Sequence, residues 1–138
     1  MIKDVGKIII SRKIINEITS RSDLDKESCG FLAGDLDENY VIIKEYFFVK
    51  NISRSSYEFI MDPYDMLRVI KEIESRGMKI VGLFHTHLGH HPNPSYKDLE
   101  GMRSWPIPWL IIDKFSGEYR AWIKSDDKLK SIEIEVVD

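Results

Sequence analysis

The chain has 138 residues, of which 43% are hydrophobic and 31% charged, enough for one ordinary globular domain and too few for two full-sized ones. A formal net charge of -3 argues against general affinity for nucleic acid or anionic lipid, both of which need clustered basic charge. The lone Cys29 excludes an internal disulfide and any paired-cysteine metal ribbon, so a metal would have to be held by His, Asp and Glu.

In chain order, Lys7-Ile8-Ile9-Ile10 reads as a short buried strand, and Ser11 then offers an N-cap to a helix with apolar residues at Ile14, Ile15 and Ile18. After a polar break at 23–26, the compact run Cys29 to Gly34 predicts a central strand, and Asp35 to Asn39 a turn. Tyr40 to Val49, rich in β-branched and aromatic residues, predicts a long strand. Beyond a polar loop from Asn51 to Ser56, the alternation of Tyr57, Phe59 and Met61 predicts a half-buried strand. Asp62-Pro63 opens a second helix with Met66, Leu67, Ile70 and Ile73 on its apolar face, and Gly77 stops it. Met78 to Phe84 has the continuous apolar character of a strand covered on both faces, and it leads directly into His85-Thr86-His87. A loop with Gly89, Pro92 and Pro94 precedes a short helix from about Ser95 to Ser104. Strands follow near Trp109 to Asp113, Glu118 to Lys124 and Ser131 to Val137, the first two joined by a hairpin through Lys114 to Gly117. With no repeat or linker, the whole of 1–138 is expected to form a single domain: a mixed sheet with helices packed on it. No apolar run approaches the ~20 residues that cross a bilayer, and the N-terminus lacks a signal-peptide core, so no membrane association and a cytoplasmic location are expected.

Chemistry concentrates after the central strand. His85 and His87 are two residues apart, so in strand geometry both imidazoles point to one side and can share a cation. A catalytic zinc site takes three protein ligands and keeps a fourth position for water. Asp98 is the candidate third ligand, in the array His85-x-His87-x7-Ser95-x2-Asp98, where one helical turn brings Ser95 and Asp98 to the same face. Two neutral imidazoles and one carboxylate leave net positive charge on bound zinc, which lowers the pKa of a coordinated water to roughly 7. Amide hydrolysis also needs a group that takes a proton from water and returns it to the departing nitrogen. Glu27, at the mouth of the Cys29–Gly34 strand, is a candidate, and spacing alone does not separate it from Asp23, Asp25 and Glu38. Ser95 is placed to donate to the oxyanion of a tetrahedral intermediate. Each part has a plainer reading: Ser95-x-x-Asp98 is a good capping box, Cys29 a small buried residue, the tryptophans at 105, 109 and 122 packing. His90 and His91 are loop residues within reach of a fourth ligand position. The helical His-Glu-x-x-His of common zinc proteases is absent. His85-x-His87-x-x-His90 is similar to a metallo-β-lactamase array, but Gly89 stands where that family has an aspartate, and the chain is too short for that fold.

Two separate segments resemble the JAMM/MPN-plus family of zinc metallo-isopeptidases. Glu27-Ser28-Cys29-Gly30-Phe31-Leu32-Ala33-Gly34 is similar to its Glu-x-x-Gly-x-Leu-x-Gly segment, and the His-x-His-x7-Ser-x2-Asp array is complete. Tyr57 to Pro63 also resembles the strand and helix start between them, so the likeness spans roughly Ile8 to Ile123. The resemblance selects Glu27 over its acidic neighbours. It implies an α+β, cytidine-deaminase-like mixed sheet layered between helices, the JAB/MPN fold. It further implies one Zn²⁺ held by His85, His87 and Asp98 plus water, Glu27 as general base and acid, and Ser95 at the oxyanion. The chain departs from the pattern at Leu88, where the family usually has proline, and it lacks room for the insertions of linkage-selective members. A compact stand-alone prokaryotic-type enzyme is therefore expected. Its substrate would be an isopeptide or peptide bond at the C-terminal tail of a ubiquitin-like modifier or sulphur-carrier protein, the extended tail adding as a strand beside Tyr57 to Met61. The alternatives from other classes are a non-catalytic MPN-minus interaction scaffold, which the retained ligands count against, and a RadC-like DNA-associated protein, which the acidic balance counts against.

Overall fold

A computed structural model describes residues 4–138. The elements are β1 (Lys7–Ser11), α1 (Arg12–Arg21), β2 (Cys29–Asp37), β3 (Tyr40–Val49), α2 (Pro63–Ser75), β4 (Lys79–His87), α3 (Tyr96–Ser104), β5 (Trp109–Asp113), β6 (Tyr119–Ser125) and β7 (Lys128–Val137). Each helix begins where a short polar side chain can satisfy a free N–H of the first turn. The Ser11 hydroxyl accepts from the Ile14 N–H, the Asp62 carboxylate from Tyr64, and the Ser95 hydroxyl from Asp98. Pro63 sits in the first turn of α2, where its missing N–H costs nothing.

The strands run β1-β3-β2-β4-β5-β6-β7, and β7 returns to pair with β1 in parallel, so the sheet closes into a barrel. Closure bears on the expected fold: the mixed sheet with helices on it is present, but as a barrel rather than as the layer expected between helices. Its cause is β7, ten residues long and starting at Lys128 rather than Ser131, which follows β6 through Asp126 and Asp127. Both turn residues have left-handed φ values, 52° and 64°, which match the twist of a tight hairpin. Strand alternation separates two cores. One gathers Ile14, Ile15 and Ile18 of α1 with Ile8, Ile10, Leu32, Phe84 and Leu110; the other gathers Val69 and Ile73 of α2 and Met102 of α3 with Phe31, Leu83 and Trp109. Val69, not Leu67, lies on the buried face of α2; Leu67 is exposed, so the inward set is Met66, Val69, Ile70 and Ile73.

Two further expectations change. The turn after β2 is confined to Glu38 and Asn39, because β2 stays paired with β3 as far as Asp37. The expected strand at Tyr57–Met61 reduces to a single bridge between Met61 and Asn51. There the Asn51 side chain accepts N–H groups from Ser53 and Ile60, which closes a loop instead of extending a ladder. Gly30 answers to a close approach: a Cβ there would lie 2.0 Å from the Phe47 carbonyl oxygen and 2.6 Å from the Phe84 ring. Among the described residues, no helix is long and apolar enough to cross a membrane.

Candidate metal centre

β4 runs between β2 and β5, antiparallel to the first and parallel to the second, and this register assembles the site. Cys29 pairs with His85. The pairing continues one residue past β2: the Thr86 N–H donates to the Ser28 carbonyl at 2.9 Å, and the Ser28 N–H donates to the Thr86 hydroxyl at 2.9 Å. Two residues before Cys29, Glu27 therefore falls opposite His87, on the face carrying both imidazoles. Glu27, His85 and His87 offer ligand atoms that all lie within 4.8 Å of one another. Asp98, in the first turn of α3, closes the cluster from the other side. Its Oδ1 is 3.0 Å from His85 Nε2 and its Oδ2 3.1 Å from His87 Nε2. His85 and His87 are fully buried, Glu27 and Asp98 nearly so.

The four side chains differ in how they are held. Asp98 and Ser95 form a reciprocal capping box, with the Ser95 N–H donating to Asp98 Oδ2 at 2.9 Å and the Asp98 N–H to the Ser95 hydroxyl at 3.1 Å. His87 Nδ1 lies 2.8 Å from the His91 carbonyl oxygen, which only accepts, so Nδ1 carries a proton, and Nε2 faces Asp98 Oδ2 within the cluster. Phe59 packs on the His85 ring at 4.7 Å between centroids, with the edge of Trp109 at 5.7 Å. The backbone of Glu27 is fixed by Asn51, whose side-chain amide donates to its carbonyl at 2.7 Å. The Glu27 carboxylate is less satisfied: its Oε1 is 3.4 Å from His85 Nδ1 and, like His85 Nε2, is buried without a hydrogen bond.

This donor set suits a divalent cation. Donors bound to one tetrahedral zinc ion at 2.0–2.1 Å lie about 3.3 Å apart, close to the 3.0 and 3.1 Å between Asp98 and the two Nε2 atoms. His85 Nε2 and Asp98 Oδ1 approach without the alignment of a hydrogen bond, as two ligands of one ion would. The electrostatics agree. Burial drives the His85 imidazole toward neutrality, yet Asp98 and Glu27 outweigh it and raise its pKa to about 10. Burial likewise opposes ionisation of Asp98, and the charge of His85, the imidazole contacts and the Ser95 N–H overcome it, holding the carboxyl below its usual range. A site that recruits a proton so strongly offers the same field to a metal ion.

The structure thus brings together Glu27, His85, His87, Ser95 and Asp98. It takes His90 and His91 elsewhere. The exposed His90 ring stacks on His87, 4.2 Å between centroids, and the His91 ring turns to Glu118 at 3.1 Å while its carbonyl serves His87. Cys29 is fully buried beside β3, and burial, followed by the charge of Glu27, pushes its thiol up to about 12. Thr86 and Asn51 were not singled out by sequence reasoning. A polar residue between two histidines is a faint signal for the first; for Asn51 only the turn to Ser53 is local, and the bonds that bear on the site reach 24 and 9 residues away.

A model of the family described as prokaryotic homologs of the JAB domain matches residues 17–124, a span that includes every residue of the cluster. The chain belongs to this family. Within it, the chain is similar to a desampylase of Pyrococcus furiosus, 44% identical over 126 residues, covering 91% of this chain and 84% of the relative. It is also similar to a probable TtuB-protein conjugate cleaving protease of Thermus thermophilus, 27% identical over 88 residues, covering 63% of this chain and 55% of that one. Among solved structures, the solution structure of a protein from Desulfitobacterium hafniense shares this JAB fold with a TM-score of 0.81 at 25% identity, covering 95% of this chain and 93% of that one.

Proposed function

We propose that this JAB-family chain is a zinc-dependent isopeptidase that works as a single cytoplasmic domain. Its reaction is hydrolysis of the isopeptide or peptide bond at the C-terminal tail of a ubiquitin-like modifier or sulphur-carrier protein. The relatives' names, desampylase and conjugate cleaving protease, support this substrate class. The observation that carries the reading is the buried convergence of an unpaired glutamate oxygen with two imidazoles that share one aspartate.

His85 and His87, through Nε2, and Asp98 are the ligands, because both Nε2 atoms face the same carboxylate. Glu27 Oε1 approaches His85 from its other ring nitrogen, at 3.4 Å, and this supports a role beside that trio rather than in it. A zinc ion held by these residues would supply an activated water and polarise the scissile carbonyl. Glu27 Oε1, with no competing hydrogen bond, takes the proton from the attacking water and returns it to the departing nitrogen. The Ser95 oxygen accepts at the helix cap, so its hydroxyl proton is free to donate to the oxyanion; capping and catalysis use different parts of one group. Phe59 and Trp109 surround His85 with apolar surface and keep bulk water from weakening these interactions.

The test is to incubate zinc-loaded protein with ubiquitin-like conjugates and weigh the products. Cleavage at the modifier's C-terminus, lost on Glu27→Gln with zinc content retained, is the expected result. Zinc lost on Glu27→Gln and kept on Asp98→Asn would reassign the ligands to Glu27, His85 and His87. No cleavage by the zinc-loaded wild type would favour an interaction scaffold.

A further inference from the structure

We propose that Asp113, at the end of the strand beside the site, is a positioning residue that fixes the ring of His87 through the turn that follows it. The inference rests on the assignment of His87 as a metal ligand. In the parallel register of β4 and β5, Asp113 is the direct partner of His87. Asp113 is buried, and its Oδ1 accepts the Gly89 N–H at 2.8 Å and the Phe115 N–H at 3.3 Å. The next residue completes the clamp, as the Lys114 N–H donates to the His87 carbonyl at 2.9 Å.

The turn needs that clamp. Leu88 follows His87, so no proline ring restricts the backbone there, and Gly89 adopts φ +91°, a conformation open to glycine and costly to other residues. Anchoring Gly89 brings the chain back so that the His91 carbonyl reaches His87 Nδ1 at 2.8 Å. A neutral imidazole carries one proton. With Nδ1–H committed to that carbonyl, the Nε2 lone pair stays in the site; without it the ring can rotate or exchange tautomers. Metal affinity then falls by the fraction of molecules whose ring remains competent.

Competition with a chromophoric zinc chelator tests this on folded protein, with no substrate required. Asp113→Ala is expected to weaken zinc binding by about 10–100-fold, the usual effect of removing a group that orients a ligand, and Asp113→Asn, which keeps an Oδ1 acceptor, to restore most of it. In the zinc-loaded wild type, nitrogen NMR of the histidine rings should show the His87 proton on Nδ1, an arm that does not depend on any variant folding. Wild-type zinc affinity in Asp113→Ala, or zinc on Nδ1 of His87, would overturn the inference. Undiminished zinc binding in His87→Ala would instead remove the ligand assignment beneath it.

Discussion

The end of β4 and the loop from Asn51 to Met61 face the same cluster but are built by different forces. His85, Thr86 and His87 are fully buried and laddered to β5 along their whole length, while on the other side His85 pairs with Cys29 and Thr86 bonds Ser28 through both its N–H and its hydroxyl. The loop closes on itself through the bridge between Asn51 and Met61 and through the Asn51 carboxamide, which accepts from Ser53 and Ile60 while donating to Glu27. It also carries exposed apolar side chains at Ile52, Tyr57 and Ile60. The contrast separates two tasks in the proposed mechanism: the ladder would fix the ligands His85 and His87, and the loop would fix Glu27 for proton transfer.

Glu27→Gln gives the largest expected effect. It should reduce turnover by on the order of 10²–10⁴-fold, the usual contribution of a general acid–base group, while zinc content is unchanged. Parallel metal analysis and conjugate cleavage check this, and a variant with near-normal turnover would break the division between ligands and base. Asn51→Asp keeps the acceptor and the size but replaces the donor to Glu27 with a carboxylate oxygen. The lost buried hydrogen bond, at about 1–3 kcal/mol, predicts roughly a tenfold or larger fall in kcat with zinc affinity unaltered. If zinc binding fell in step with kcat, the two regions would be one structural unit.

The third effect is one of pH. In metal-free protein the pKa of His85 is raised from 6.5 to about 10, so its stabilising contribution is complete below about pH 6.5 and drains away as pH rises toward 10. Thermal melting of chelator-treated protein should therefore shift downward between pH 7 and 10, and zinc should suppress the shift. A metal-free melting temperature that is flat or rises over that range contradicts the electrostatics assigned to the site. The smallest effect concerns Cys29, whose buried thiol is raised to about 12. Native protein at pH 8 should resist thiol reagents that label it readily in denaturant. Rapid labelling of the native form would mean that the β2 end of the ladder opens easily.

Much of this was legible in the sequence because it is local. The His-x-His spacing at a strand end, the capping-box spacing of Ser95 and Asp98, and the Pro63 helix start are short-range patterns with direct structural meaning. Glu27 was different. Its position opposite His87 follows from the register of β2 against β4, some 60 residues apart, which spacing does not encode; resemblance to a family supplied it. The strand expected at Tyr57–Met61 failed because alternation reports a half-buried segment, and Asn51 turns that segment into a loop with long-range side-chain bonds. Closure of the sheet was hidden for the same reason: the β1–β7 pairing joins the two ends of the chain.

The most direct measurement is anomalous diffraction at the zinc edge from crystals of the zinc-loaded protein. The expected result is a single zinc ion bound to Nε2 of His85, Nε2 of His87 and a carboxylate oxygen of Asp98, with Glu27 nearby but outside bonding distance. Zinc bound directly by Glu27, or no anomalous peak between the two histidines, would contradict it.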